Sequence, residues 1–131
     1  MKLTKSFLLE NQQKNIIEQI KSFLVEDSGK DTWEDFVNGQ SMGDCQYIVN
    51  IISKQFSEAK HCFGEIKIDK IYKDKYGKKQ NKLTHHWCEI NNKIYDFSKG
   101  TLIDYINWEY DIYEPDVGYD KFRYENIGKF K

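Results

Sequence analysis

The chain has 131 residues, 39% of them hydrophobic and 31% charged, with a single proline. That size suits one compact domain, residues 1–131, able to bury roughly 65% of its unfolded surface without disulfides or a structural metal. Twenty Lys and Arg against 21 Asp and Glu leave a formal charge of −1, which excludes a global field for nucleic acid or an anionic membrane. No apolar run approaches the ~18 residues of a membrane span, and the opening stretch is too short for a secretory signal, so a cytoplasmic protein is expected.

In chain order, Glu10 to Val25 carries Ile16, Ile17, Ile20, Phe23 and Leu24 at helical spacing and predicts an amphipathic helix. After Ser28-Gly29, Asp31 to Val37 reads as two short turns of helix capped by Asp31, and a loop follows from Gly39 to Gly43. From Asp44, the stripe Cys45, Ile48, Val49, Ile52 and Phe56 predicts a third helix, with Asp44 accepting hydrogen bonds from its open first turn. Cys45 therefore stands at a helix N-terminus.

Beyond it the period changes to two. Phe63 to Asp69 alternates as a half-buried strand does, and Lys70 to Lys82, rich in lysine around Gly77, reads as a solvated loop or hairpin tip. Leu83 to Ile90 and Lys93 to Phe97 read as strands joined by Asn91-Asn92, two residues that tolerate positive φ, hence a tight hairpin. Leu102 to Trp108 suggests a short helix, Pro115 to Gly118 a turn, and Lys121 to Ile127 a closing strand. The order of elements predicts an α+β fold, N-terminal helices packed on an antiparallel sheet.

The hairpin register brings chemistry together. With Asn91-Asn92 as the whole loop, Ile90 faces Lys93, Cys88 faces Tyr95 and Trp87 faces Asp96, so His85 becomes a diagonal neighbour of Asp96 on one face. His86 shares the other face with Cys88, Tyr95 and Phe97. A three-residue loop would exchange the two faces, so His85 is the expected partner of Asp96 and His86 the reserve. A histidine held by a carboxylate is the base a cysteine nucleophile requires, and at its helix tip Cys45 meets a dipole that favours thiolate, opposed by the adjacent Asp44.

Gly43-Asp44-Cys45 opening an apolar helix, Gly64 near a strand, then His85-x-Trp87-x-Glu89 and Tyr95-Asp96 together resemble the papain-like cysteine hydrolases, in particular their transglutaminase-like branch. The match covers about Gly39 to Ser98. The resemblance implies a papain-like, transglutaminase-like core with Cys45 as nucleophile, His85 as general base and acid, and Asp96 as the orienting group. Some relatives carry the acidic residue at the position of Ser98, and many have a small residue at that of His86. The resemblance also implies a side chain before the nucleophile that stabilises an oxyanion, for which Gln40 is the candidate, together with the backbone N–H of Cys45.

Competing readings attach to the same residues. Cys45 lies on an apolar stripe, as a small buried hydrophobe would; Cys62 and Cys88, in strands without a motif, are assigned to core packing. His61-Cys62 with His85-His86-Trp87-Cys88 could supply zinc ligands, but residues 85 and 86 point to opposite faces of a strand, so neither metal nor cofactor is expected. Trp87 is a core or cleft-wall candidate that could shield the His–Asp pair from water.

Two functions follow. One is a small cysteine-dependent hydrolase or acyltransferase acting on an amide of a protein or peptide substrate, with peptidase, amidase, deamidase and transglutaminase outcomes left open. The other is an inactive papain-like binding module that uses the basic loop or the aromatic acidic segment Tyr105 to Tyr113 as its contact surface.

Overall fold

The computed structural model describes the backbone of residues 5–109, 111–118 and 123–129, and the side chains of 12–109, 111–117 and 123–125. Helices α1 (Lys5–Ser28), α2 (Trp33–Asn38) and α3 (Asp44–Gln55) come first, followed by strands β1 (Lys60–Lys73), β2 (Lys79–Ile90) and β3 (Lys93–Asp96). The one-turn helix α4 (Lys99–Leu102) and strands β4 (Asp116–Gly118) and β5 (Tyr124–Lys129) complete the chain. The expected α+β class holds: the five strands form an antiparallel sheet of order β4-β3-β2-β1-β5. No helix among the described residues is long and apolar enough to cross a membrane.

The hairpin is as the sequence dictates. Asn91 and Asn92 both take positive φ, 54° and 63°, and the register pairs Ile90 with Lys93 and Cys88 with Tyr95. This is the twist-compatible two-residue turn that asparagines adopt at small cost.

Other expectations are corrected. Thr32, not Asp31, caps α2, its hydroxyl accepting from the Asp35 N–H at 3.0 Å. Asp44 turns back to the preceding loop and accepts from Ser41 N at 2.8 Å, so α3 starts after Gly43, φ 96°, without a side-chain cap. The Lys70 to Lys82 run is mostly strand. Each lysine stem there tolerates an exposed strand position, and only residues 74–78 form the tip, where the Asp74 carboxylate accepts from Tyr76 N, Lys78 N and the Gln80 amide. The helix placed over Leu102 to Trp108 is the earlier, shorter α4, and Pro115 to Gly118 is not a turn, because residues 116–118 pair with β3. The closing strand is β5; the Lys121 end of that expectation lies outside the described residues.

The two faces of the sheet are packed differently. On one, Cys88, Ile90, Tyr95 and Phe97 meet Ile20 and Leu24 of α1, Phe36 and Val37 of α2, and Ile48, Val49 and Ile52 of α3 in a single apolar cluster. On the other, Cys62, Trp87 and Ile94 cluster beside Tyr124, and Ile66 and Leu83 pack with Leu102 and Ile106.

This second face is concave. Strands β4 and β5 are opposite edges of the sheet, about 19 Å apart if it were flat. Yet the Tyr124 hydroxyl of β5 lies 2.8 Å from Asp116 of β4. The sheet must curl to bring them together. Gly64 serves that curl, since a Cβ there would stand 2.0 Å from the Glu125 carbonyl oxygen and 2.8 Å from the Trp87 ring, where the β1–β5 register shifts.

Candidate active site

Three elements converge on His85. Period two turns it, with Trp87, into the concave face, and β3 brings Asp96 to the same face at its last residue. The His85 Nε2 and Asp96 Oδ2 are 2.8 Å apart, with both side chains almost wholly buried at 2% and 1% exposure. β3 pairs with β2 over Cys88 to Ile90. At His85, β2 therefore has a strand neighbour among the described residues only through Gly64 of β1. His85 is where the sheet meets the helical layer: Cys45, at the tip of α3, is near enough to its ring to help raise the imidazole, after Asp96. With Nε2 engaged by Asp96, Nδ1 is the nitrogen left for the thiol.

The carboxylate is heavily supported. Asp96 Oδ1 accepts from the Ser98 backbone N–H at 3.0 Å and from the Ser98 hydroxyl, while Oδ2 accepts from His85 and lies 2.7 Å from the Tyr124 hydroxyl. Ser98 Oγ also sits 3.2 Å from His85 Nε2. Burial opposes charge on both members of the pair, but each overcomes it for the other. The Asp96 charge and hydrogen bond, then Cys45, hold the imidazole above its ordinary value, and His85, then Ser98 and Tyr124, hold the Asp96 carboxyl below its own.

The remaining expected residues are placed as follows. Trp87 is 1% exposed, stacked against His85 with ring centroids 6.2 Å apart and edge-on to Tyr124 at 5.1 Å, so it walls the pair from below rather than lining an open cleft. Gln40 donates its side-chain amide to the Phe97 carbonyl at 3.0 Å, and its Oε1, 2.8 Å from where a Gly100 Cβ would stand, is buried without a partner. That amide is thus anchored one residue beyond Asp96, with one N–H still uncommitted.

His86 points to the opposite side of β2 from His85. Its Nδ1 lies 2.7 Å from His61 Nε2, its ring packs on Phe63, and burial followed by the neighbouring histidines lowers its pKa. Cys62 and Cys88 are buried; Cys88 donates to the Tyr95 carbonyl at 3.4 Å and is pushed well above its ordinary value by burial. Among the described residues no group of three or more His, Cys, Asp or Glu is arranged to hold a metal ion.

Two participants escape sequence reasoning. Ser98 was visible only as a departure from the resemblance, and Tyr124 lies in a C-terminal segment with no motif. No family model, no curated protein and no solved structure matches the chain.

Proposed function

We propose that the chain is a small cysteine-dependent hydrolase or acyltransferase with a papain-like, transglutaminase-like core, acting on an amide of a protein or peptide substrate. The observation that carries this reading is a buried His85–Asp96 pair whose ring also meets a thiol at a helix tip, three residues remote in sequence. In this reaction the Cys45 sulfur attacks the amide carbon, and the carbonyl oxygen becomes an oxyanion. The first turn of α3 has no side-chain cap, and its N–H groups, that of Cys45 among them, suit this charge.

Collapse of the tetrahedral intermediate breaks the C–N bond, with His85 giving its proton to the leaving amine. The acyl group stays on sulfur as a thioester. His85 then takes a proton from the acceptor, water or a second amine, whose attack releases the acid or a new amide and returns the thiol. Asp96 keeps the ring oriented throughout.

One observation favours the competing binding module: Cys45 is only 8% exposed and His85 2%, so a substrate must reach the sulfur through a narrow opening. Alkylation separates the two readings. Iodoacetamide at pH 6 to 7 should modify Cys45 faster than a free thiol of pKa ~8.5, with the rate lowered by His85→Ala. Labelling that rises only as that of an ordinary thiol does, unaffected by His85→Ala, would overturn the enzymatic reading.

A further inference from the structure

The Tyr124 hydroxyl lies between two carboxylates, 2.7 Å from Asp96 Oδ2 and 2.8 Å from Asp116 Oδ2. A phenol has one proton to give, so it cannot donate fully to both. Burial first, then these two carboxylates, push the phenol well above its ordinary value, which keeps it protonated as a donor. Each acceptor has a cation to balance it. Asp96 pairs with His85, and the buried Lys99, its Nζ 4.7 Å from the Trp108 ring, acts most strongly on Asp116 and then on Asp96. The phenol proton is therefore shared between the two carboxylates.

We propose that Tyr124 is a positioning residue of the candidate active site. Its hydroxyl proton is shared between Asp96 Oδ2 and Asp116 Oδ2, its ring packs edge-on against Trp87, and the phenol so joins Asp96 to the opposite edge of the curled sheet. The site is thereby completed by the last described strand, which ties both edges of the sheet to the carboxylate that steers His85. The groups facing Asp96 are His85 from β2, Ser98 beyond β3, Lys99 from α4, Asp116 from β4, Tyr124 from β5 and the more distant Cys88 thiol. Removing the phenol oxygen withdraws a competing donor from the charged carboxylate, whose Oδ2 then accepts from His85 more strongly and holds the imidazole proton more firmly.

This inference rests on the proposed function only in naming the site catalytic, so its test does not depend on turnover. The full chain, with labelled histidine, is titrated by NMR as wild type, Tyr124→Phe and Asp116→Asn. Tyr124→Phe should raise the His85 midpoint by about one pH unit, a tenfold change in the proton equilibrium, and leave His61 and His86 unmoved. Asp116→Asn, which keeps the shape, can donate to the phenol oxygen and turns the phenol proton wholly toward Asp96, should lower the His85 midpoint. An unchanged His85 midpoint in Tyr124→Phe overturns the proposal even if Cys45 proves reactive. A raised midpoint with an inert Cys45 upholds it as an account of the His85–Asp96 pair while the enzymatic reading fails. Should Tyr124→Phe not fold, Asp116→Asn decides: a lowered His85 midpoint upholds the proposal, and an unchanged or raised one overturns it.

Discussion

Strands β2 and β3 do two jobs on their two faces. The face that meets the helices carries Cys88, Ile90, Tyr95 and Phe97 in one apolar cluster, where area removed from water is what matters and many side chains of similar size would serve. The concave face carries His85, Asp96 and Tyr124 in a hydrogen-bonded chain walled by Trp87, where each atom depends on its partner. Alternation along a strand separates them by one residue. A protein of this size can therefore hold a buried charge pair without surrendering its core: the helices stabilise the sheet from behind, and the polar network occupies the side that curls.

The two faces should part under mutation. The largest loss of stability is expected for Ile90→Ala on the helix face, about 2–5 kcal/mol in denaturant unfolding from the cavity left at a fully buried site, with the His85 titration unmoved. Asp96→Asn on the concave face should cost about 3 kcal/mol, at the low end for a broken buried pair because His85 can shed its proton. Unlike Ile90→Ala it should also bring the His85 midpoint down and slow alkylation of Cys45. If Asp96→Asn leaves both unchanged, the faces do not differ in kind. Ser98→Ala should have the smaller effect of about 1–2 kcal/mol, since it removes one hydroxyl donor from a carboxylate that retains the Ser98 backbone N–H, His85 and Tyr124.

How far the sequence could be read follows the same division. The helix stripes and the Asn91-Asn92 turn are local patterns, and from them the register and the pairing of His85 rather than His86 with Asp96 follow by counting. The curl is not local. It depends on Gly64 admitting the Trp87 ring and on Tyr124 reaching across from the far edge, and neither residue stands in a pattern that announces it. Strand β4 is three residues long, too short for alternation to appear, and it was hidden behind the turn signal of Pro115. The lysine-rich run misled for a physical reason: its charge suits a solvated loop, but long stems also suit an exposed strand end. The role of Gln40 rested on resemblance alone, and its amide is held by the Phe97 carbonyl.

The adjacent histidines give the finest test of the comparison, through pH. His85 is held above the ordinary value of 6.5, so its stabilising contribution is complete below pH 6.5 and is lost as pH rises through the higher folded value. His86 and His61 are held below 6.5, by burial in each case and for His86 also by its histidine neighbours. Below 6.5 the unfolded chain takes up protons that these two folded rings refuse, and stability falls with pH. Asp96 adds its own loss only lower, below 3.8 and through its depressed folded value. Unfolding free energy measured against pH should therefore decline on both sides of 6.5, and the limbs should be separable. His86→Gln should flatten the shallow acid limb between 6.5 and about 5, a small effect because both rings are partly exposed, and leave the alkaline limb intact. His85→Gln should remove the alkaline limb. A profile in which His86→Gln flattens the alkaline limb instead would mean that the hairpin presents the other histidine to Asp96, and the two faces would have to be exchanged.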